Sequence, residues 1–211
     1  MQTTLLANGS KIPLIGTGTN TYGKEGNQYS GKLNGDFSAL KSAIQEGYRL
    51  IDTAISYQNE SGVGKTIFES GIPREEFYIT TKIPSDDAYI GSRKAVEQTV
   101  LKSLENLKTD YIDLYLIHQP IDDEEKLKYT WEILESFVDN GKIKSIGVSN
   151  FTIELLEAVH NFARIKPAVN QIQSNPDTWN HEVIDYMLKN EIVPEAWGPL
   201  SKVTPEQKAK L

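Results

Sequence analysis

The chain has 211 residues, no cysteine and a formal net charge of −7, with a pI near 5.1. That length suits one large domain or two small ones, and the acidic balance argues against a nucleic-acid partner, which needs a basic stripe to neutralise phosphates. Without cysteine there are neither disulfides nor thiolate metal sites; His118, His160 and His181 never fall at HExxH spacing, so no metal site is expected.

In chain order, the opening MQTTLLANGSKIP lacks a basic flank and a long apolar core, so it does not read as a signal peptide. No apolar run approaches the roughly 18 residues of a membrane span. A soluble, cytoplasmic protein with no membrane partner is the expectation. Residues 3–6 and 11–15 flank Asn8-Gly9, a strong hairpin signal because both turn residues must tolerate positive φ. Apolar runs follow at 15–19, 49–53, 77–82, 112–118, 144–149, 168–172 and 192–197. Helix-like stretches lie between them, near 36–46, 60–70, 91–107, 124–140, 152–163 and 180–190, and a further one opens after Thr204-Pro205.

Ser92, Thr152 and Asn180 stand at N-cap positions, where a side-chain oxygen can satisfy a free backbone donor. Gly47, Gly71 and Gly141 stand where a left-handed residue would end a helix. Strand–helix alternation at roughly 25–35 residues per unit predicts βαβ units around a parallel sheet. Seven strands favour a (β/α)8 TIM-type barrel, incomplete by one strand, over a doubly wound sheet. Such barrels take about 250 residues, so a single truncated (β/α) barrel domain spanning 1–211 is expected, behind an N-terminal β-hairpin. The polar segment 23–35 reads as a long loop on the substrate side, or equally as a plain solvated insertion.

Two motif fragments carry no chemistry. Gly16-Thr17-Gly18 begins like a dinucleotide fingerprint, but Thr21 stands at the third glycine position and no helix begins there. Gly64-Lys65-Thr66 ends like a phosphate loop, yet Asn59 occupies the first glycine position. The informative pattern is different. Asp52, Lys82, His118 and Ser149-Asn150 close successive strands, and Tyr57 follows Asp52 by five residues. Singly, each has a plain reading as a cap, a solvated charge or a structural hydrogen-bonder. In a parallel barrel all strand ends converge on one rim, and there they could act together. A tyrosine is too weak an acid at neutral pH, near 10, to protonate an alkoxide efficiently. A Lys82 cation would pull that pKa down, Asp52 would hold the lysine charged, and neutral His118 could orient a carbonyl oxygen.

With these residues in view, the chain resembles the aldo-keto reductases. GYRLIDTAISYQNESGVG, TTKIP, TDYIDLYLIHQP, GKIKSIGVSNF, PAVNQIQSNP and VPEAWGPLS carry the resemblance, which covers essentially the whole chain. It implies an NAD(P)H-dependent oxidoreductase reducing aldehydes or ketones to alcohols, with NADP(H) favoured over NAD(H) and a small-molecule carbonyl substrate. It implies Asp52, Tyr57, Lys82 and His118 as the catalytic tetrad, with Tyr57 as general acid. Thr19 and Asn20, with Asp52, would line the nicotinamide ribose. Ser149, Asn150 and Gln171 would bond the carboxamide, and Trp197 would stack on the ring, with core filling as its plainer alternative.

The chain also departs from the family pattern. Gln119 follows His118 where an aromatic is common, and Gln173 and Asn175 replace a Glu and a His. The family's eighth strand, its IPKS segment and its R-x-x-E-N segment, which bind the adenosine 2′-phosphate, have no counterpart. An open barrel has unpaired strand edges, so self-association and poor stability are expected. A catalytically inactive relic or binding module is the alternative to an enzyme.

Overall fold

The computed structural model describes residues 2–208. Its first element is a hairpin, β1 (Thr3–Leu5) against β2 (Lys11–Pro13), antiparallel with Leu5 opposite Lys11. The connection is not the two-residue turn expected at Asn8-Gly9. Gly9 alone takes positive φ, and its N–H closes a turn on the Leu6 carbonyl. Asn8 is used otherwise: its Oδ1 accepts from the Ser10 N–H, and its Nδ2 donates to the Lys144 carbonyl and to Ser145 Oγ. The side chain ties the hairpin to the sheet beneath it.

Seven parallel strands then pair in strict chain order: β3 (Gly16–Gly18), β4 (Leu50–Asp52), β5 (Tyr78–Ile83), β6 (Ile112–Ile117), β7 (Ile143–Ser149), β8 (Val169–Gln173) and β9 (Val193–Trp197). The connections carry α1 (Ser38–Gln45), α2 (Glu60–Glu69), α3 (Asp87–Ile90) and α4 (Arg93–Leu107), α5 (Glu124–Asp139), α6 (Ile153–Phe162) and α7 (His181–Lys189). A short α8 (Pro205–Lys208) follows β9. The expected alternation is borne out, and the sheet is curled into a partial (β/α)8 barrel. Among the described residues β3 and β9 are its two outer strands.

The alternation of side chains along the strands sorts the core into two compartments. Outside the sheet, Ile51, Ile79, Tyr115, Ile117, Ile146 and Val148 pack with helix residues such as Val100, Trp131 and Leu156. Inside the curl, Leu50, Tyr78, Leu114, Leu116 and Val169 meet Leu6 and Ile12 of the hairpin, with Val193 against them. The hairpin therefore plugs the N-terminal end of the barrel, leaving the strands' C-terminal ends for chemistry. Space inside is short: a Cβ on Gly147 would lie 2.5 Å from the Val169 carbonyl oxygen. Gly64, dismissed above as a phosphate-loop fragment, lies in α2 against the Leu107 backbone, where a Cβ would come within 2.5 Å.

Ser92 and Thr152 cap α4 and α6 as expected, accepting from the N–H groups of Ala95 and Leu155. Asn180 does not cap α7; its Nδ2 donates instead to the Gln173 carbonyl at the end of β8. Gly47, Gly71 and Gly141 all take positive φ behind their helices.

Candidate active site

The buried ion pair between β4 and β5 organises the site. Lys82 is the penultimate residue of β5, 0% exposed, and points into the curl. Its Nζ donates to both Asp52 oxygens, at 2.6 and 2.7 Å, and to the Thr53 carbonyl at 3.0 Å, and it reaches Tyr57 Oη at 3.5 Å. A buried ammonium is tolerable only with acceptors arranged in this way. Burial works against its charge, but the Asp52 carboxylate overrides that, and the Lys82 pKa lies above its ordinary value.

Tyr57 reaches this pair because the chain after β4 tightens into a 3-10 turn, Ile55–Tyr57, followed by Gln58 in the left-handed region. Asn59 then locks the segment. Its Nδ2 donates to the carbonyls of Thr19 (2.7 Å) and Tyr22 (3.0 Å), and its Oδ1 accepts from Thr53 Oγ1. The loop after β4 is thereby stapled to the end of β3. Burial, the largest influence, raises the Tyr57 pKa, while Lys82 pulls it down without cancelling the rise. The lowering expected from Lys82 alone is thus outweighed by desolvation.

His118 follows β6, its N–H donating to the Ile83 carbonyl and its own carbonyl accepting from Asn150 Nδ2. Its ring meets Tyr57 edge-on, centroids 5.7 Å apart, and Ser56 Oγ lies 3.5 Å from its Nδ1. Burial first, then repulsion by Lys82, holds its pKa down at about 4, so the imidazole is neutral at pH 7.

The remaining expected residues surround the same mouth. Thr19 is buried beside Asp52, whose carbonyl accepts from the Thr19 N–H, and its Oγ1 has no partner. Asn20 is exposed on the rim. Ser149 Oγ donates to the Gln171 carbonyl, as does the Asn150 N–H. Asn150 takes positive φ, which turns its amide back over β7. Gln171 Nε2 donates to Asp52 Oδ2, joining β8 to the ion pair. Trp197, 40% exposed, donates from Nε1 to Asn150 Oδ1 at 2.8 Å. It fills no core.

Asp52, Tyr57, His118, Ser149, Asn150, Gln171, Asn20 and Trp197 share one cavity of about 920 Å³. The expected residues thus come together. Three further residues were not singled out from sequence. Tyr29, in the polar loop at 23–35, meets Tyr57 edge-on at 6.0 Å and lines the cavity. Lys24 Nζ bonds the Tyr29 carbonyl and lies 4.7 Å from its ring centroid, so the loop belongs to the site. Asn59 is the second. The third, Glu195 on β9, accepts from Gln171 Nε2 at 2.9 Å. Burial, and then the charge of Asp52, raises its pKa to about 7. Its position two residues from both Val193 and Trp197 was the available signal, because period-two spacing puts all three on one face.

The donor set fits a nicotinamide nucleotide. The amides of Asn20, Asn150 and Gln171 and an exposed indole line a cavity large enough for it, and the enclosed Thr19 hydroxyl lies behind that lining without a partner among the described residues. Among the described residues no three His, Asp or Glu side chains gather as a metal site would need.

The Aldo/keto reductase family model matches residues 14–208. Glyoxal reductase of Bacillus subtilis is 44% identical over 199 residues, covering 94% of this chain and 67% of that protein. The crystal structure of an aldo/keto reductase from Brucella melitensis superposes with a TM-score of 0.87 at 35% identity, covering 99% of this chain and 77% of that one. A Bombyx mori aldo-keto reductase solved with NADP gives 0.84 at 31% identity, covering 97% and 68%. The chain spans about two thirds of the length of the first curated relatives it matches. On sequence, fold and site together, this chain belongs to the aldo-keto reductase family.

Proposed function

We propose that the site reduces the carbonyl group of a small aldehyde or ketone to an alcohol, with NADP(H) as the hydride source. The observation that carries this is the contact of Tyr57 Oη with an enclosed lysine already paired to a carboxylate. When bound, a nicotinamide would supply hydride to the carbonyl carbon. The protein supplies the rest. His118, kept neutral, offers a ring nitrogen to orient the carbonyl oxygen between itself and Tyr57. Tyr57 remains fully protonated at neutral pH, so its proton is available. As negative charge grows on the oxygen, the phenol proton moves to it, and the Lys82 ammonium stabilises the phenolate left behind. Asp52 keeps Lys82 charged throughout. Thr19, Asn20, Ser149, Asn150, Gln171 and Trp197 would hold the nicotinamide end of the cofactor.

A mouth lined by Tyr29, Gln119 and His118 is partly polar, which suits a small, polar carbonyl compound such as the glyoxal named for the Bacillus relative. Part of the same proposal is that residues 1–211 act as one cytoplasmic domain. Among the described residues no helix is long and apolar enough to cross a membrane. Among the described residues the outer strands β3 and β9 leave backbone groups unpaired, so self-association through them belongs to the proposal, and light scattering checks it. Mixing the protein with NADPH and glyoxal should deplete the reduced nicotinamide absorbance as a hydroxyaldehyde appears. Binding of NADPH with no turnover of any small aldehyde would instead leave a binding module.

A further inference from the structure

Gln171 stands between two carboxylates. Its single amide nitrogen donates to Asp52 Oδ2 on one side and to Glu195 Oε1 on the other, both at 2.9 Å. Asp52 is already committed to Lys82, so it can only accept. That fixes which end of the amide faces inward, because turning it round would set a carbonyl oxygen against a carboxylate. One hydrogen bond, however, leaves an amide free to pivot about it. The second N–H, engaged by Glu195, fixes the plane. With both N–H groups used, Oε1 is the one group Gln171 can offer a ligand. Among the described residues it has no partner, it is not enclosed, and the residue lines the cavity.

We propose that Glu195 is a positioning residue of the cofactor site: by engaging the second N–H of Gln171, it aims Oε1 at the NH2 of a nicotinamide carboxamide as a fixed acceptor. This rests on the nicotinamide reading above. The groups facing Glu195 are Asp52 from β4, Lys82 and Tyr78 from β5, and Gln171 from β8. Among the described residues its Oε2 is enclosed without a partner, and nothing but Gln171 holds the carboxyl group by hydrogen bonding. A protonated carboxyl keeps a carbonyl acceptor, so the lock works in either charge state. An amide can replace it. An alkyl group cannot.

The test compares two ligands on three proteins. Nicotinamide mononucleotide and its 3-acetylpyridine counterpart differ in the carboxamide NH2, which the second replaces with methyl. Their affinities are measured by NMR titration on the wild type, Glu195→Gln and Glu195→Leu. The wild type should prefer the carboxamide by roughly three- to tenfold, the worth of one hydrogen bond. Glu195→Gln should keep that ratio, and Glu195→Leu should bring it close to one. A ratio between two ligands is insensitive to a general loss of folded protein. An unchanged ratio in Glu195→Leu, or an equal loss in Glu195→Gln, overturns the proposal. If the wild type binds neither ligand, the cofactor reading itself fails. The side-chain amide signals of Gln171 then decide the positioning. Both protons should be shifted as hydrogen-bonded donors in the wild type and Glu195→Gln, and one should be released in Glu195→Leu. Signals unchanged in Glu195→Leu overturn it.

Discussion

β5 and β6 are buried at every residue, whereas β3 and β9, at the outer sides of the sheet, are half-buried or exposed throughout. The proposed reaction is divided along the same line. Lys82, which would stabilise the Tyr57 phenolate, and His118, which would orient the carbonyl, come from β5 and the end of β6, with Asp52 and Tyr57 beside them on β4 and its loop. Trp197, one of the residues that would hold the nicotinamide, and Glu195, which would position Gln171 for it, come from β9. β9 even contains Pro194, which a strand tolerates where its N–H has no ladder partner to meet. In the proposed reaction, proton delivery would therefore rest on the most buried strands, and cofactor placement would lean in part on an exposed edge.

The sharpest way to break that contrast is Lys82→Met. It leaves the Asp52 carboxylate buried without its cation, and a destabilisation of about 3–5 kcal/mol is expected in urea unfolding. A change below about 1 kcal/mol would show that the pair is not the centre of the fold. Next in size is a matched truncation. Leu114→Ala, in the inner layer of β6, should cost about 2–5 kcal/mol. Val193→Ala on β9, half-buried and with neighbours on one side, should cost clearly less, about 1 kcal/mol. Equal losses would erase the distinction between centre and edge.

Acidity separates the two halves as well. Glu195 has a folded pKa of about 7, above that of an unfolded glutamate. Between those values the folded state binds more protons, so this group's contribution to stability falls as pH rises from about 4.5 to about 7. Glu195→Gln should thus gain roughly 1–3 kcal/mol at pH 8 relative to the wild type and little at pH 4. His118 behaves oppositely. Its folded pKa of about 4 lies below that of an unfolded histidine, so its contribution is complete above about 6.5 and is lost as pH falls towards 4. Thermal melts across pH 4–8 on the wild type and Glu195→Gln check both signs. The smallest effect expected is Ser92→Ala, removing the cap of α4 for about 1 kcal/mol.

How far the molecule could be read from its residues follows the same division. The central strands were legible because near-continuous apolar runs such as IDLYLI, broken only by Asp113, mean a parallel strand buried on both faces. Strand-end polar residues then converged as parallel topology demands. The loop chemistry was less legible. Asn8-Gly9 suggested a two-residue turn, but the Asn8 side chain gains three partners outside the hairpin's ladder, and the turn widened to suit them. Asn180 looked like a cap, and a carbonyl at the end of β8 claimed its amide instead. Glu195 escaped notice because a lone carboxylate in VPEAW reads as a solvated charge; its role depends on Gln171, which lies 24 residues away in sequence. The direction of the Tyr57 pKa also lay beyond sequence, since burial and Lys82 oppose each other and only their balance decides.

The central claim is that Tyr57 delivers the proton. Its most direct test is glyoxal reduction by NADPH, followed side by side in the wild type and Tyr57→Phe, with nicotinamide mononucleotide binding measured on both. Loss of a positioned general acid should lower the rate by about 10²–10⁴-fold while leaving binding unchanged. Equal rates in the two proteins would contradict it.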